Sequence, residues 1–142
     1  MIKGSCLCGE VKFQVNGKIL LMSNCHCPEC RKAYGSAFGT LAFCKKSEFS
    51  YISGENHISS YKLSDALTRH FCNVCGSQLP VMSHEAFGPY FMGIPAGLLD
   101  DDPQIKPSKH LFVSLKAPWW DITDAIPQYQ EWHPGFTPSW EK

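Results

Sequence analysis

"NCHCPECRKAYG", residues 24–35, sets Cys25, Cys27 and Cys30 into six positions and follows them with Arg31 and Lys32. Three thiols this close form a redox motif, part of a disulfide scaffold, or most of a metal site. The remaining cysteines decide among these. "CLCG" at 6–9 and "CNVCG" at 72–76 supply two pairs, and Cys44 stands alone, so seven of the eight cysteines are clustered. Disulfide frameworks belong to smaller, denser secreted chains. The N-terminal stretch MIKGSCLCGEVKF holds no apolar leader, and no apolar run approaches membrane-spanning length. The expectation is a cytoplasmic, reduced protein in which clustered thiols bind metal, zinc by their spacing.

Composition sets the frame. The chain has 142 residues, 44% hydrophobic and 18% charged, which is the size of one domain spanning 1–142 with a real core. Lys+Arg 13 balance Asp+Glu 13 and no basic run occurs, which excludes the clustered positive charge that nucleic acids and anionic membranes require.

Short alternating runs dominate: VKFQV at 11–15, GTLAF at 39–43, EFSYI at 48–52, SSYKL at 59–63, QLPVM at 78–82 and HLFVS at 110–114. Each ends at Gly, Pro, Asn or Ser and none sustains a helical period, so the pattern predicts a mostly antiparallel β domain. Pro80 marks its run as an edge or a broken strand. One short helix follows Cys27, with Pro28 at its first position and Gly35 as its stop. Residues 119–142 read as an aromatic, extended wrapping tail. Its tryptophans, Trp119, Trp120, Trp132 and Trp140, cover one end of the sheet or line a ligand cleft.

Two cysteines two apart on a straight strand point to opposite faces, so "CLCG" must turn before both sulfurs reach one ion. Gly9 and Gly76 stand where such turns need positive φ. Pairing the two pairs gives a closed Cys₄ site from Cys6, Cys8, Cys72 and Cys75. A rival pairing joins Cys72 and Cys75 to two of the triplet and orphans "CLCG". Under the first, Cys25, Cys27 and Cys30 are left with a fourth place open, the pattern of catalytic zinc. Cys27 sits near an N-cap and Cys30 in the first turn, where the helix dipole favours thiolates. Cys44 is the candidate to fill the gap, against its ordinary role as a small buried hydrophobe. His26, between Cys25 and Cys27, is expected to point away from them, and His70 to be a non-ligand.

"GSCLCGEVKF", "NCHCPECRKAYGSAF", "TRHFCNVCGSQL", "GLLDDDP" and "KAPWWDI" together resemble the family of glutathione-dependent formaldehyde-activating enzymes, also called the GFA or CENP-V-type domain, from about Gly4 to about Trp132. The resemblance implies an Mss4-like fold, a β-tent of small antiparallel sheets with one short helix, stabilised by zinc. It also implies two zinc ions per chain. The structural one is carried onto Cys6, Cys8, Cys72 and Cys75, and the catalytic one onto Cys25, Cys27 and Cys30. The implied activity is that of a carbon–sulfur lyase, adding the glutathione thiol to formaldehyde to give S-hydroxymethylglutathione. Its partners are then a small thiol and a small aldehyde. Arg31, Lys32 and Arg69 are candidates to meet a carboxylate of the thiol carrier, and His26 and His70 are candidate proton donors. The competing class is a non-catalytic zinc scaffold on the same fold. The fourth ligand of the triplet separates the two.

Overall fold

The computed structural model describes residues 1–81 and 89–134. Among the described residues, nine strands make three small sheets around a single seven-residue helix. Strands β1 (Ile2–Ser5), β2 (Lys12–Val15) and β5 (Phe49–Ser53) form an antiparallel sheet in the order β1-β2-β5. Strands β3 (Leu21–Cys25), β4 (Gly39–Lys45), β8 (Phe91–Pro95) and β9 (His110–Leu111) form the second, in the order β8-β4-β3-β9, with β9 parallel to β3. Strands β6 (Ile58–Lys62) and β7 (Thr68–Cys72) pair as a hairpin.

The main core lies between the first two sheets. Phe13 and Val15 of β2 meet Met22 of β3, Ala42 and Cys44 of β4, and Met92 and Ile94 of β8. Side chains alternate across a strand, so the register fixes what the opposite face presents. Met22 pairs Ala42 on the core face, whereas Ser23 pairs Leu41 and Leu21 pairs Phe43 on the other. Cys25 pairs Gly39 on that second face. A one-residue slip would send Cys25 into the core.

Helix α1 (Pro28–Tyr34) begins as its sequence suggests, with Cys27 as the N-cap and Gly35 ending it in the left-handed region at φ 58°. It lies directly against β4. A Cβ on Gly39 would sit 2.3 Å from the Tyr34 ring and 3.3 Å from Cys30 Cβ. Only glycine admits this approach, which is what brings Cys30 to the end of β3.

Several expected strands are shifted or absent. The run 78–82 forms only isolated bridges, Phe71 to Gln78 and Val81 to Gly93. Pro80 accounts for this by removing a ladder donor, and Met82 lies outside the described residues. The run 110–114 stops at Leu111, because Phe112 turns to φ 56° and opens a 3₁₀ turn. Residues 127–131 then run beside it: His110 N donates to Pro127 O at 2.8 Å and Phe112 N to Glu131 O at 3.0 Å. Of the tail tryptophans, Trp119 stands mostly exposed, at 68%. Trp120 meets the edge of Phe38, and Trp132 packs edge-on to Phe112. Trp140, with the rest of 135–142, lies outside the described residues. Among the described residues no helix is long and apolar enough to cross a membrane.

Candidate functional site

Two turns bring the first four thiols together. After β1 the chain reverses, with Gly9 N donating to Cys6 O and Val11 N donating to Cys6 Sγ at 3.3 Å. After β7 it repeats the device, with Gly76 N donating to Cys72 O at 2.8 Å. Both glycines adopt φ 81°. Leu7 N donates to Ser77 Oγ at 2.9 Å and clasps one turn to the other. The sulfurs of Cys6, Cys8, Cys72 and Cys75 all lie within 4.8 Å of one another. The Cys6–Cys8 separation is 3.5 Å and the Cys8–Cys72 separation 3.8 Å. Zinc–sulfur bonds of about 2.3 Å in a tetrahedron put ligand sulfurs about 3.8 Å apart, so this donor set fits a four-thiolate ion. The rival pairing is not what the chain forms: Cys72 and Cys75 meet "CLCG" and leave the triplet separate.

Cys25, Cys27 and Cys30 form the second cluster, again with all sulfurs within 4.8 Å. Cys25 ends β3, Cys27 caps α1, and Cys30 N donates to Cys27 Sγ at 3.4 Å. Hydrogen bonds from the Cys25 and Cys30 thiols, helped by the Cys30 backbone N–H, pull the Cys27 thiol down to about 2. The same thiol contacts, together with burial, push Cys25 up. Cys27 caps the helix, where N–H groups point and favour a thiolate. The cluster's three soft donors fit zinc as ligands, and among the described residues no fourth His, Cys, Asp or Glu joins them.

Cys44 does not fill the gap. It is fully buried in the main core, where burial pushes its thiol up to about 11. His26 faces away from the cluster, as alternation along the chain requires. Its ring lies tilted beside Phe38, and its Nε2 meets His110 Nδ1 at 2.8 Å. His70 is buried too, with Nδ1 2.9 Å from Ser60 Oγ.

The triplet opens into a cleft of about 560 Å³. Leu41 and Phe43 of β4 form one wall, Leu111 and Phe112 another, with Leu67 and Trp132 completing the apolar lining. Of the three bases named from sequence, Arg69 alone reaches this cleft. Its Nη2 lies 3.9 Å from Cys30 Sγ, its Nη1 donates to Tyr34 OH at 3.4 Å, and its guanidinium carbon stands 5.6 Å from the Tyr34 ring centroid. Arg31 is spent on backbone carbonyls, those of His26 and Leu115, and Lys32 is exposed outside the cleft. Strand β7 thus carries Arg69 to one cluster and Cys72 to the other.

Three participants escaped the sequence reading. Tyr34, four residues after Cys30, shares its helix face and could have been inferred from that spacing. His110 and Asp124 carry no local signal, because the parallel β3–β9 pairing brings His110 behind the triplet and Asp124 meets only its ring.

Known proteins resemble the chain closely enough to class it. The family model for the glutathione-dependent formaldehyde-activating enzyme, GFA, matches residues 1–115. A Halomonas elongata protein provisionally named a glutathione-dependent formaldehyde-activating enzyme is 30% identical over 129 residues, covering 86% of this chain and 81% of that protein. A crystal structure of a Rhodobacter sphaeroides structural-genomics target shares the fold with a TM-score of 0.59 at 19% identity, covering 89% of this chain and 99% of that one.

Proposed function

The chain belongs to the family of glutathione-dependent formaldehyde-activating enzymes, and from that premise we propose that it adds a glutathione-like thiol to formaldehyde or a related small aldehyde. In this reading the product is the S-hydroxymethyl hemithioacetal, and the reaction is that of a carbon–sulfur lyase run in the direction of addition. The observation that carries this is the three-cysteine cluster, without a fourth ligand among the described residues, at the wall of a cleft large enough for a thiol carrier.

In this proposal Cys6, Cys8, Cys72 and Cys75 hold a structural zinc, and Cys25, Cys27 and Cys30 hold a second. When bound there, zinc with an open place supplies Lewis acidity that lowers the pKa of an entering thiol. The chain's own residues do the rest. Arg69, fixed by Tyr34, sets a positive charge beside Cys30 and offsets the charge of the thiolates. The apolar walls orient the carrier and exclude water from its sulfur. The addition is redox-neutral: the sulfur–carbon bond forms, the carbonyl π bond breaks, and the thiol proton is balanced by protonation of the new alkoxide. His26 and His70 are not the donors in this scheme, since both are buried and neither lines the cleft. Water at the cleft mouth supplies that proton.

The test is to measure bound metal, thiol affinity and adduct formation together, in the wild-type protein and in Cys30→Ser. Wild type should bind a thiol and speed adduct formation, and the variant should lose both while staying folded. Tight fourth ligation by a side chain with no thiol affinity would establish the scaffold alternative instead.

A further inference from the structure

We propose that a second cavity, apart from the triplet cleft, is a binding site for a planar, uncharged cyclic amide. Its volume is about 450 Å³, within the range of small-molecule sites, and it shares no lining residue with the triplet cleft. Three parts of the chain close around it: the end of α1 with the start of β4, the turn after Cys75, and the 3₁₀ turn that follows β8.

Charge narrows the ligand first. No Asp, Glu, Lys, Arg or His lines the cavity, and burial pushes the one titratable side chain there, Tyr34, up to about 12. An ion entering would give up its water without meeting an opposite charge. The occupant is therefore neutral.

Shape comes next. Tyr34 and Phe38 offer aromatic surface, and Pro95, Ala96 and Leu98 add aliphatic surface. Gly76 and Gly97 leave the lining open, since a Cβ at either would meet nothing within 4 Å. A flat ring can lie in such a space and pack offset or edge-on against an aromatic neighbour.

Hydrogen bonding then names the functional group. Thr40 Oγ1 spends its proton on Asn24 Oδ1 at 2.7 Å. Ser77 Oγ accepts from Leu7 N at 2.9 Å and contacts Cys75 Sγ at 3.3 Å. Gln78 differs from both. Its backbone is fixed by the bridge to Phe71, while its side-chain amide makes no hydrogen bond among the described residues. A primary amide presents a donor and an acceptor side by side. The ligand edge that answers both at once carries an acceptor beside a donor, and a cyclic amide holds its C=O and N–H in that arrangement. Thr40 Oγ1 keeps lone pairs for one further donor. Tyr34 also accepts from Arg69 Nη1 at 3.4 Å, so an occupant would rest on the residue that holds Arg69 beside Cys30.

The experiment titrates the wild-type protein, with the metal it carries, with quinolin-2(1H)-one, with its N-methyl derivative and with 2-naphthoate, following backbone amide shifts by NMR. The lactam should bind at least about tenfold more tightly than either analogue, because N-methylation removes the donor and the carboxylate brings a charge. Its shifts should centre on Gly39, Gly76 and Gly97. Gln78→Leu should cost the lactam about tenfold and leave the N-methyl derivative's affinity unchanged. Gly97→Leu stands where a side chain has room and φ is not positive, so it should fill the cavity and abolish lactam binding with metal content unaltered. Equal binding of the lactam and its N-methyl derivative overturns the inference, as does 2-naphthoate binding as tightly as the lactam. Shifts centred on Leu111 and Phe112, or no binding at all, overturn it too. The wild-type series decides the matter even where a variant folds poorly.

Discussion

His26 Nε2 lies 2.8 Å from His110 Nδ1, and the far nitrogen of His110 lies 3.0 Å from Asp124 Oδ2. A carboxylate can only accept, so His110 Nε2 carries the proton. Its Nδ1 then accepts, and His26 Nε2 donates to it. His26 Nδ1 is left as a buried lone pair without a partner among the described residues. Burial, with the Lys116 charge nearby, holds His26 neutral, down at about 4, which agrees with this assignment. The chain of bonds ties residues 110 and 124 to the back of the triplet loop.

Replacing Asp124 by Ala should release that tautomer. Asp124 is half-exposed, so water can take over part of its role and the loss of stability should be small. Nitrogen-15 shifts of the imidazoles report the change directly. Wild type should show His110 protonated at Nε2, and Asp124→Ala should populate the other tautomer. Finding His110 protonated at Nδ1 in wild type would refute the assignment.

Gly9 and Gly76 make matched demands on the closed cluster. Each has φ 81°, and a Cβ at either would meet nothing within 4 Å. The cost of alanine there is therefore backbone strain alone, about 1–2 kcal/mol at each position. Because the two turns share one four-thiol cluster, the double variant should bind zinc less tightly than either single one. Denaturant melts with zinc held constant would measure this, and single variants as stable as wild type would disprove it.

Where residues act locally, the sequence announced the structure. The glycine after each cysteine pair, Pro28 at the helix start and Gly35 at its stop all carry their geometry in their own φ preferences. Strand β3 was hidden because Ser23 and Asn24 are buried polar residues that blur the alternation, and Asn24 Oδ1 is satisfied only by Thr40 Oγ1 of the neighbouring strand at 2.7 Å. Strand β8, FMGIP, contains Gly and Pro and is held by β4, which no local pattern encodes. The cleft was illegible for a similar reason. Leu41, Leu67 and Leu111 look like core positions until the sheet register turns them to one open side.

Cys44 predicts an alkaline weakness. Burial first, and then Glu48, push its thiol from 9.0 up to about 11. In the unfolded chain that thiol ionises near 9.0, while in the fold it stays protonated, so between these values the native state holds the extra proton. Its contribution is thus fully present below pH 9 and is lost as pH rises toward 11, by at most about 3 kcal/mol at 1.36 kcal/mol per unit. The difference in stability between wild type and Cys44→Ala should narrow across that window. A constant difference from pH 8 to 11 would show that the thiol is not protected.

The two cysteine clusters should fail differently. Cys6 and Cys72 are themselves half of a small buried group with Val11 and Leu79, which joins the β1–β2 turn to the end of β7. Little apolar surface holds that junction without the ion, and binding energy at a structural zinc site, on the order of 10 kcal/mol, is folding energy. Cys72→Ser should therefore leave poorly folded protein. Cys30 stands outside both buried core groups, at the start of α1 and facing the cleft. Cys30→Ser should keep the β spectrum, shift the melting temperature by only a few degrees as a change of about 1 kcal/mol does, and carry one metal equivalent where wild type carries two. Elemental analysis with circular dichroism on the same samples decides the point. Unfolding of Cys30→Ser, or retention of both metal equivalents, would show that the triplet is structural.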